Sequence, residues 1–200
     1  GIEIRRSRDV VLRNLDLKVA EGAKVSVSEV SGFEYDQPLS EAVVRSEMSR
    51  CPTADRLDNL GGRLKWNYTT GLELKAFLDV YAVNGDRSVL DYVDGWYDSI
   101  IDESGNITTY KQSNYSTDHV CPARTLFQLY ELTGKEKYRL AIEKVRAQLD
   151  THPRTSEGGF WHKKIYPWQM WLDGLYMAQP FYAEHTFRSD VAQQVKDSLY

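Results

Sequence analysis

The segment LDVYAVNGDRSVLDYVDGWYDSII, from Leu78, is answered by FQLYELTGKEKYRLAIEKVRAQLD, from Phe127, so that Tyr81 falls on Tyr130 and Gly85 on Gly134, each pair 49 residues apart. Apolar residues recur in both at three- and four-residue spacing, the mark of one buried helix face. Each unit therefore reads as helix, glycine-containing turn, helix. A third unit opens at QMWLDGLYMAQPFYAEH, after a connection lengthened by HPRTSEGGFWHKKIYP. Hairpins repeating at about 40 to 50 residues stack as an open solenoid or close into a ring. In a ring, one helix of each hairpin lines the centre, and functional residues gather in the loops before those inner helices. Three such loops carry large aromatics or an acid: WNYTTG at Trp66, YSTDHVCPAR at Asp118 and WHKKIYPWQMWLDG at Asp173. That regularity favours the ring.

The first 38 residues obey a different period. Ile2 and Ile4, then Leu15, Leu17 and Val19, then Val25 and Val27 alternate with polar residues, and Gly22 and Gly32 punctuate them. Period-two alternation with turns predicts short strands, too few to be stable alone. The expected division is a β segment over 1–38 and a helical region over 39–200, with both ends continuing into chain that lies outside this sequence.

Composition narrows the function classes. A net charge of −4 without any Lys/Arg-rich block speaks against nucleic acid or an anionic membrane as partner, and no stretch approaches the length of a membrane span. No GxSxG, P-loop, GxGxxG or CxxC is present, which leaves serine hydrolysis, nucleotide binding and thiol redox chemistry without support. Cys51 and Cys121 lack metal-ligand spacing; no metal and no cofactor is expected.

Aromatics make up 12% of the chain, and seven of them fall in GGFWHKKIYPWQMWLDGLYMAQPF around the single acid Asp173. On a helix opened by Pro167, Asp173 would share a face with Gln169, Met170, Tyr176 and Met177. An apolar face of this kind desolvates a carboxyl and keeps it protonated, as a general acid requires; the plain alternative is a carboxylate tied to backbone donors or to an arginine. Asp118 precedes the equivalent helix, where aspartate is often a cap, yet ring geometry would bring it toward Asp173. Two carboxyls in one pocket push each other's pKa values apart. His162, flanked by Trp161 and Lys163, is either structural or a hydrogen-bond partner for a sugar. Trp66, Tyr68, Trp161, Trp168 and Trp171 are candidates for core or for stacking platforms.

KWNYTTGLELKAFLDVY, YSTDHVCPARTLFQLYELTGKEKY and above all HPRTSEGGFWHKKIYPWQMWLDGLYMAQPFYAEH resemble the unsaturated rhamnogalacturonyl hydrolases of glycoside hydrolase family 105, near the unsaturated glucuronyl hydrolases of family 88. The resemblance runs from Leu39 to Tyr200. It implies an (α/α)6 barrel, six hairpins in a ring, of which about the first half is present, a part expected to be inactive alone. It implies removal of a 4,5-unsaturated uronic acid from the non-reducing end of pectin oligosaccharides by hydration of a vinyl ether. Carried over residue by residue, Asp173 in WxD is the general acid/base and Asp118 the second active-site acid. His162 becomes the pocket histidine, Trp171 the stacking tryptophan, and Trp66 and Tyr68 the pocket wall. The sequence departs from the family pattern at Ala123, where glycine is expected, and at Trp168, where a polar residue is common. The segment over 1–38 resembles the closing coils of a family 28 parallel β-helix, which implies a fused pectinase domain. The competing classes are a silent oligosaccharide-binding barrel and an epimerase, the latter lacking a second well-placed histidine.

Overall fold

A computed structural model describes residues 38–57 and 64–198. The strands expected over the first segment lie outside the described residues. The chain divides into two compact units, Gly1–Val43 and Val44–Tyr200; of the first, the described part is the opening of the first helix. Among the described residues six α-helices follow in order: α1 (Leu39–Arg50), α2 (Tyr68–Asn84), α3 (Arg87–Ile100), α4 (Arg124–Thr133), α5 (Glu136–Asp150) and α6 (Leu172–Ser198). Among the described residues β pairing is limited to two isolated bridges, Ile101 with Ile107 and Arg154 with Phe160. The chain is mainly helical, as its periodicity predicts.

The two copies of the repeat fold alike down to their turns. α2 ends at Gly85 with φ 69° and α4 at Gly134 with φ 68°, and each glycine N–H donates to the tyrosine carbonyl four residues back, Tyr81 and Tyr130, at 2.8 Å. A left-handed C-cap satisfies an orphan carbonyl and reverses the chain, which is why glycine stands at both positions. After the first turn, Asp86 caps α3 by accepting from Ser88 N at 3.0 Å, and the Ser88 hydroxyl at 2.6 Å, followed by this backbone bond, holds its carboxyl below the ordinary carboxylate range.

Within each hairpin the two helices pack on each other, α2 on α3 and α4 on α5, while α4 also packs against α2 and α6. This places α2, α4 and α6 in one row, the inner row of the expected ring. On the outer side, Lys135 at the start of α5 reaches Asp94 and Asp98 of α3, both at 2.7 Å.

The core is most tightly built where α2 begins. Trp66 stacks on Trp96 (centroids 6.0 Å, 20°), and Tyr97 meets both edge-on. Tyr97 hydroxyl donates to the Pro122 carbonyl at 2.8 Å. Burial without a nearby charge raises the Tyr97 phenol far above its ordinary range. Gly71 allows α2 to lie directly on the turn before α4: a Cβ there would stand 2.6 Å from Pro122 Cα. Ala123, just inside this contact, has ordinary right-handed dihedrals (φ −68°, ψ −19°), so the position does not require glycine.

Candidate active site

Three loops or helix starts converge on one point. Asp118 sits in a single 3-10 turn, Thr117–His119. His162 lies in the long connection after α5, and Asp173 in the first turn of α6. One donor atom from each of Asp118, His162 and Asp173 falls within 4.8 Å of the others. His162 Nε2 is 3.4 Å from Asp118 Oδ1, and its Nδ1 is 3.8 Å from Asp173 Oδ1. The ring of hairpins leads one to expect Asp118 near Asp173; the structure also sets His162 between them.

Backbone bonds hold the convergence in place. Thr117 N–H donates to the His162 carbonyl at 2.9 Å, and Thr117 hydroxyl donates to the same carbonyl at 3.1 Å. His162 N–H in turn donates to the Gln169 carbonyl at 2.7 Å, closing the Tyr166–Gln169 turn against the site. The start of α6 lies close against the site: a Cβ at Gly174 would stand in ordinary contact, 3.4 Å from His162 Nδ1 and 3.7 Å from Thr117 Oγ1.

Asp118 is not a helix cap. α4 begins at Arg124 behind Ala123 with no side-chain cap bond, while the Asp118 carboxylate faces His162 and pairs with Lys163 Nζ at 2.6 Å. Lys163 was visible in the sequence only as a neighbour of His162; its reach back to Asp118 depends on the fold. Thr117 was likewise unremarkable in the sequence. It places Oγ1 3.0 Å from His162 Nδ1. The single Thr117 hydroxyl hydrogen serves either the His162 carbonyl, with Nδ1–H donating to Oγ1, or Nδ1 itself, with the imidazole hydrogen on Nε2 toward Asp118, so the hydroxyl and the tautomer are set together. Burial holds the His162 pKa below its ordinary value, with the Asp118 and Asp173 carboxylates pulling the other way.

Asp173 differs from its sequence-based expectation in its setting. α6 starts at Leu172 rather than at Pro167, because Trp168 takes a left-handed φ of 66° and Gln169 N–H bonds back to Tyr166. Gln169 and Met170 therefore lie in the turn before the helix and share no helical face with the acid. The Asp173 side chain is 51% exposed, so its desolvation does not follow from the described residues.

The tryptophans divide. Trp66 is fully buried, and its indole Nε1–H donates to the His119 carbonyl at 2.7 Å. This corrects the expectation of a pocket-wall residue: its faces are committed to Trp96 and Tyr97, and its polar edge braces the turn that carries Asp118. Tyr68, the first residue of α2, is partly exposed and, among the described residues, makes no hydrogen bond or ring contact with Asp118, His162 or Asp173. Trp171, 41% exposed, lies parallel to His162 (centroids 4.1 Å, 9°) and near-parallel to Tyr166 (5.2 Å, 17°). Stacking fixes the plane of the imidazole and sets an accessible aromatic surface beside the acids. Trp161 and Trp168 form a second pair at 4.9 Å, with Trp168 largely in solvent.

The donor types of the cluster would also suit a small cation, but Lys163 already neutralises one oxygen of Asp118 and Thr117 faces Nδ1 of His162. Proton handling suits the arrangement better. Alongside it, a groove of about 630 Å³ follows the inner row of helices, lined by Leu72, Ala76 and Asp79 of α2, Arg124 of α4 and Tyr176 of α6. None of the three converging residues lines it; Tyr176, three residues on from Asp173, connects the two along α6.

A family model for Glycosyl Hydrolase Family 88 matches residues 39–198. The chain belongs to this family. A solved glycoside hydrolase of family 105 from C. acetobutylicum ATCC 824 is 39% identical and superimposes with a TM-score of 0.66 over 74% of the chain. The chain spans 39% of that protein's length. For this family 88 member the hairpins are part of a helical barrel, and α2, α4 and α6 pack in one row.

Proposed function

We propose that the full-length protein is an unsaturated rhamnogalacturonyl hydrolase, releasing a 4,5-unsaturated uronic acid from the non-reducing end of rhamnogalacturonan or pectin oligosaccharides. The observation that carries this reading is the meeting of Asp118, His162 and Asp173 beside the accessible Trp171 in a family 88 chain. In this reading Asp173 donates a proton to C4 of the vinyl ether. Positive charge develops at C5, shared with the ring oxygen, and water adds there while its proton returns to the Asp173 carboxylate. The product is a hemiketal at C5. Breaking its bond to the ring oxygen leaves a ketone at C5 and a hemiacetal at C1, which collapses to an aldehyde and expels the remaining oligosaccharide as its alcohol.

The half-exposed position of Asp173 fits a proton donor that must reach a substrate carbon. Asp118, held by Lys163 and facing His162, is suited to accept hydrogen bonds from sugar hydroxyls and to keep the imidazole oriented. Trp171 offers its exposed surface to the sugar ring, and Tyr68 belongs to the pocket wall. On the same reading a fused pectinase domain is a fitting partner, since both domains would then act on galacturonic-acid polymers.

The test is Asp173→Asn in the full-length protein, followed by loss of the ultraviolet absorbance of the conjugated double bond. Unsaturated galacturonyl–rhamnose and unsaturated glucuronyl oligosaccharides are supplied in parallel. Turnover of the first that disappears in the variant supports the proposal. Turnover only of the second transfers the activity to glucuronyl substrates, and unchanged turnover in Asp173→Asn removes the acid from the mechanism. Binding without turnover by the wild type would mark an oligosaccharide-binding barrel.

A further inference from the structure

Outside the three converging residues, a connected group of buried polar side chains lies at the C-terminal end of α5. Gln148 and His152, one helical turn apart across the end of that helix, are both buried. Gln148 Nε2 donates to the Ser116 carbonyl at 3.0 Å and lies 3.3 Å from His152 Nδ1; its Oε1 accepts from Tyr110 hydroxyl at 2.9 Å. His152 Nε2 stands 2.8 Å from the Trp161 carbonyl.

These partners admit one consistent set of protons. A carbonyl can only accept, so His152 carries its hydrogen on Nε2 and gives it to Trp161. The neutral ring then presents a lone pair at Nδ1, which takes the second amide hydrogen of Gln148. The first goes to Ser116, and the amide oxygen is filled by Tyr110. Every donor of the two side chains is used and every acceptor atom has at least one partner, as a buried polar network needs in order to rigidify its surroundings. The His152 ring is further held edge-on by Tyr115 at 5.6 Å and Phe160 at 5.2 Å.

What the network holds is specific. Ser116 is two residues before Asp118, and Trp161 immediately precedes His162. We propose that Gln148 and His152 are positioning residues, which fix the Ser116–Asp118 turn and the Trp161–His162 connection to a single helix end and so set the separation of Asp118 from His162. The direct bonds between the two arms, Thr117 to His162, tie them to each other. Only the Gln148–His152 pair, among the side-chain bonds described, ties both to α5. Without it the separation would rest on the Thr117–His162 bonds and, at the helix end, on the backbone bond from Trp161 N–H to the Pro153 carbonyl at 2.9 Å. The catalytic part of this inference rests on the hydrolase reading above; its geometric part does not.

The experiment uses the full-length protein with His152→Phe, which keeps a ring between Tyr115 and Phe160 but removes both nitrogens, and Gln148→Leu, which keeps the volume and removes the amide. His152→Gln, with an amide nitrogen able to reach the Trp161 carbonyl, is the rescue. Two readouts are taken: kcat and KM on the unsaturated oligosaccharide, and hydrogen exchange of the Thr117 and His162 amides against Val93 and Trp96 of α3. A displacement near 1 Å costs on the order of 100-fold in rate, so kcat is expected to fall about 10- to 100-fold in the first two variants. KM moves less than about threefold, and His152→Gln recovers most of the rate. Exchange at Thr117 and His162 quickens while α3 is unchanged. Unchanged exchange at Thr117 and His162 overturns the proposal whatever the rates do, and so does exchange that rises equally in α3. Local quickening in a protein whose wild type leaves the double bond intact would uphold the positioning role and overturn the hydrolase reading.

Discussion

Two groups of aromatic residues in this molecule use tryptophan in opposite ways. Around Trp66 the rings face one another: Trp96 and Tyr97 cover both its surroundings, and its exposure is 0%. Around Trp171 the rings face a histidine and solvent, and 41% of the side chain is accessible. The first group lies where α2, α3 and the turn before α4 close on each other; the second lies on the connection before α6, a helix whose start leaves Leu172, Leu175 and Tyr176 exposed. Composition does not separate them. What separates them is whether a second hairpin packs over the ring.

This contrast can be broken or sharpened by substitution. The largest effect belongs to the open side: Asp173→Asn in the full-length protein should lower turnover of the unsaturated oligosaccharide by about 10² to 10⁴, the usual worth of a positioned general acid. Its thermal midpoint should be unaltered, since the side chain is half in solvent. A matched loss of stability would show that Asp173 is a structural acid.

Next in size is Trp66→Ala, expected to cost about 3–5 kcal/mol in denaturant unfolding, the range for emptying a large aromatic from a packed core. Trp171→Ala should cost about 1 kcal/mol or less and appear instead as a raised KM. Equal destabilisation by the two would erase the distinction drawn between the groups.

The twin C-caps give a finer comparison. A Cβ at Gly85 or Gly134 meets no atom within 4 Å, so alanine at either site suffers only the left-handed backbone, roughly 1–2 kcal/mol. The two variants should lose nearly the same stability in parallel melts. A large difference would mean that the repeat is equivalent in sequence but not in energy.

The smallest effect is on pH. Burial lowers the pKa values of His119, His152 and His162 below the ordinary 6.5. A folded-state value below the unfolded one means that the unfolded chain binds protons first, so stability is complete above about 6.5 and is lost as pH falls through the lower folded values. His152→Gln should shallow this decline; an equally steep decline in the variant would clear His152 of any part in it.

Much of the scaffold was legible before any coordinates. The 49-residue offset carries both helices of each hairpin and the glycine that ends the first, because local capping geometry is written in a few adjacent residues. Asp118 and Asp173 stood out for their place before inner helices and His162 for the Trp161 and Lys163 that flank it, and the structure brings the three together. The departures have physical reasons. Trp66 matches a motif, but its rings' partners, Trp96 and Tyr97, come from the following helix, and no local pattern reports that both its faces are covered. The start of α6 was misplaced by five residues because proline tolerates a first helical turn, whereas the left-handed Trp168 and the bond from His162 to Gln169 stop one from forming there.

The sequence by itself determined the hairpins, their turns and which acids precede the inner helices, since these follow from periodicity and short-range capping. Tertiary structure alone decided that Lys163 pairs with Asp118, that Thr117 and Trp171 fix the His162 ring, and that Gln148 and His152 reach both arms of the site. Each of those contacts joins residues separated by a loop or a whole helix, or turns on a loop's exact path, and their distances exist only once the hairpins have packed.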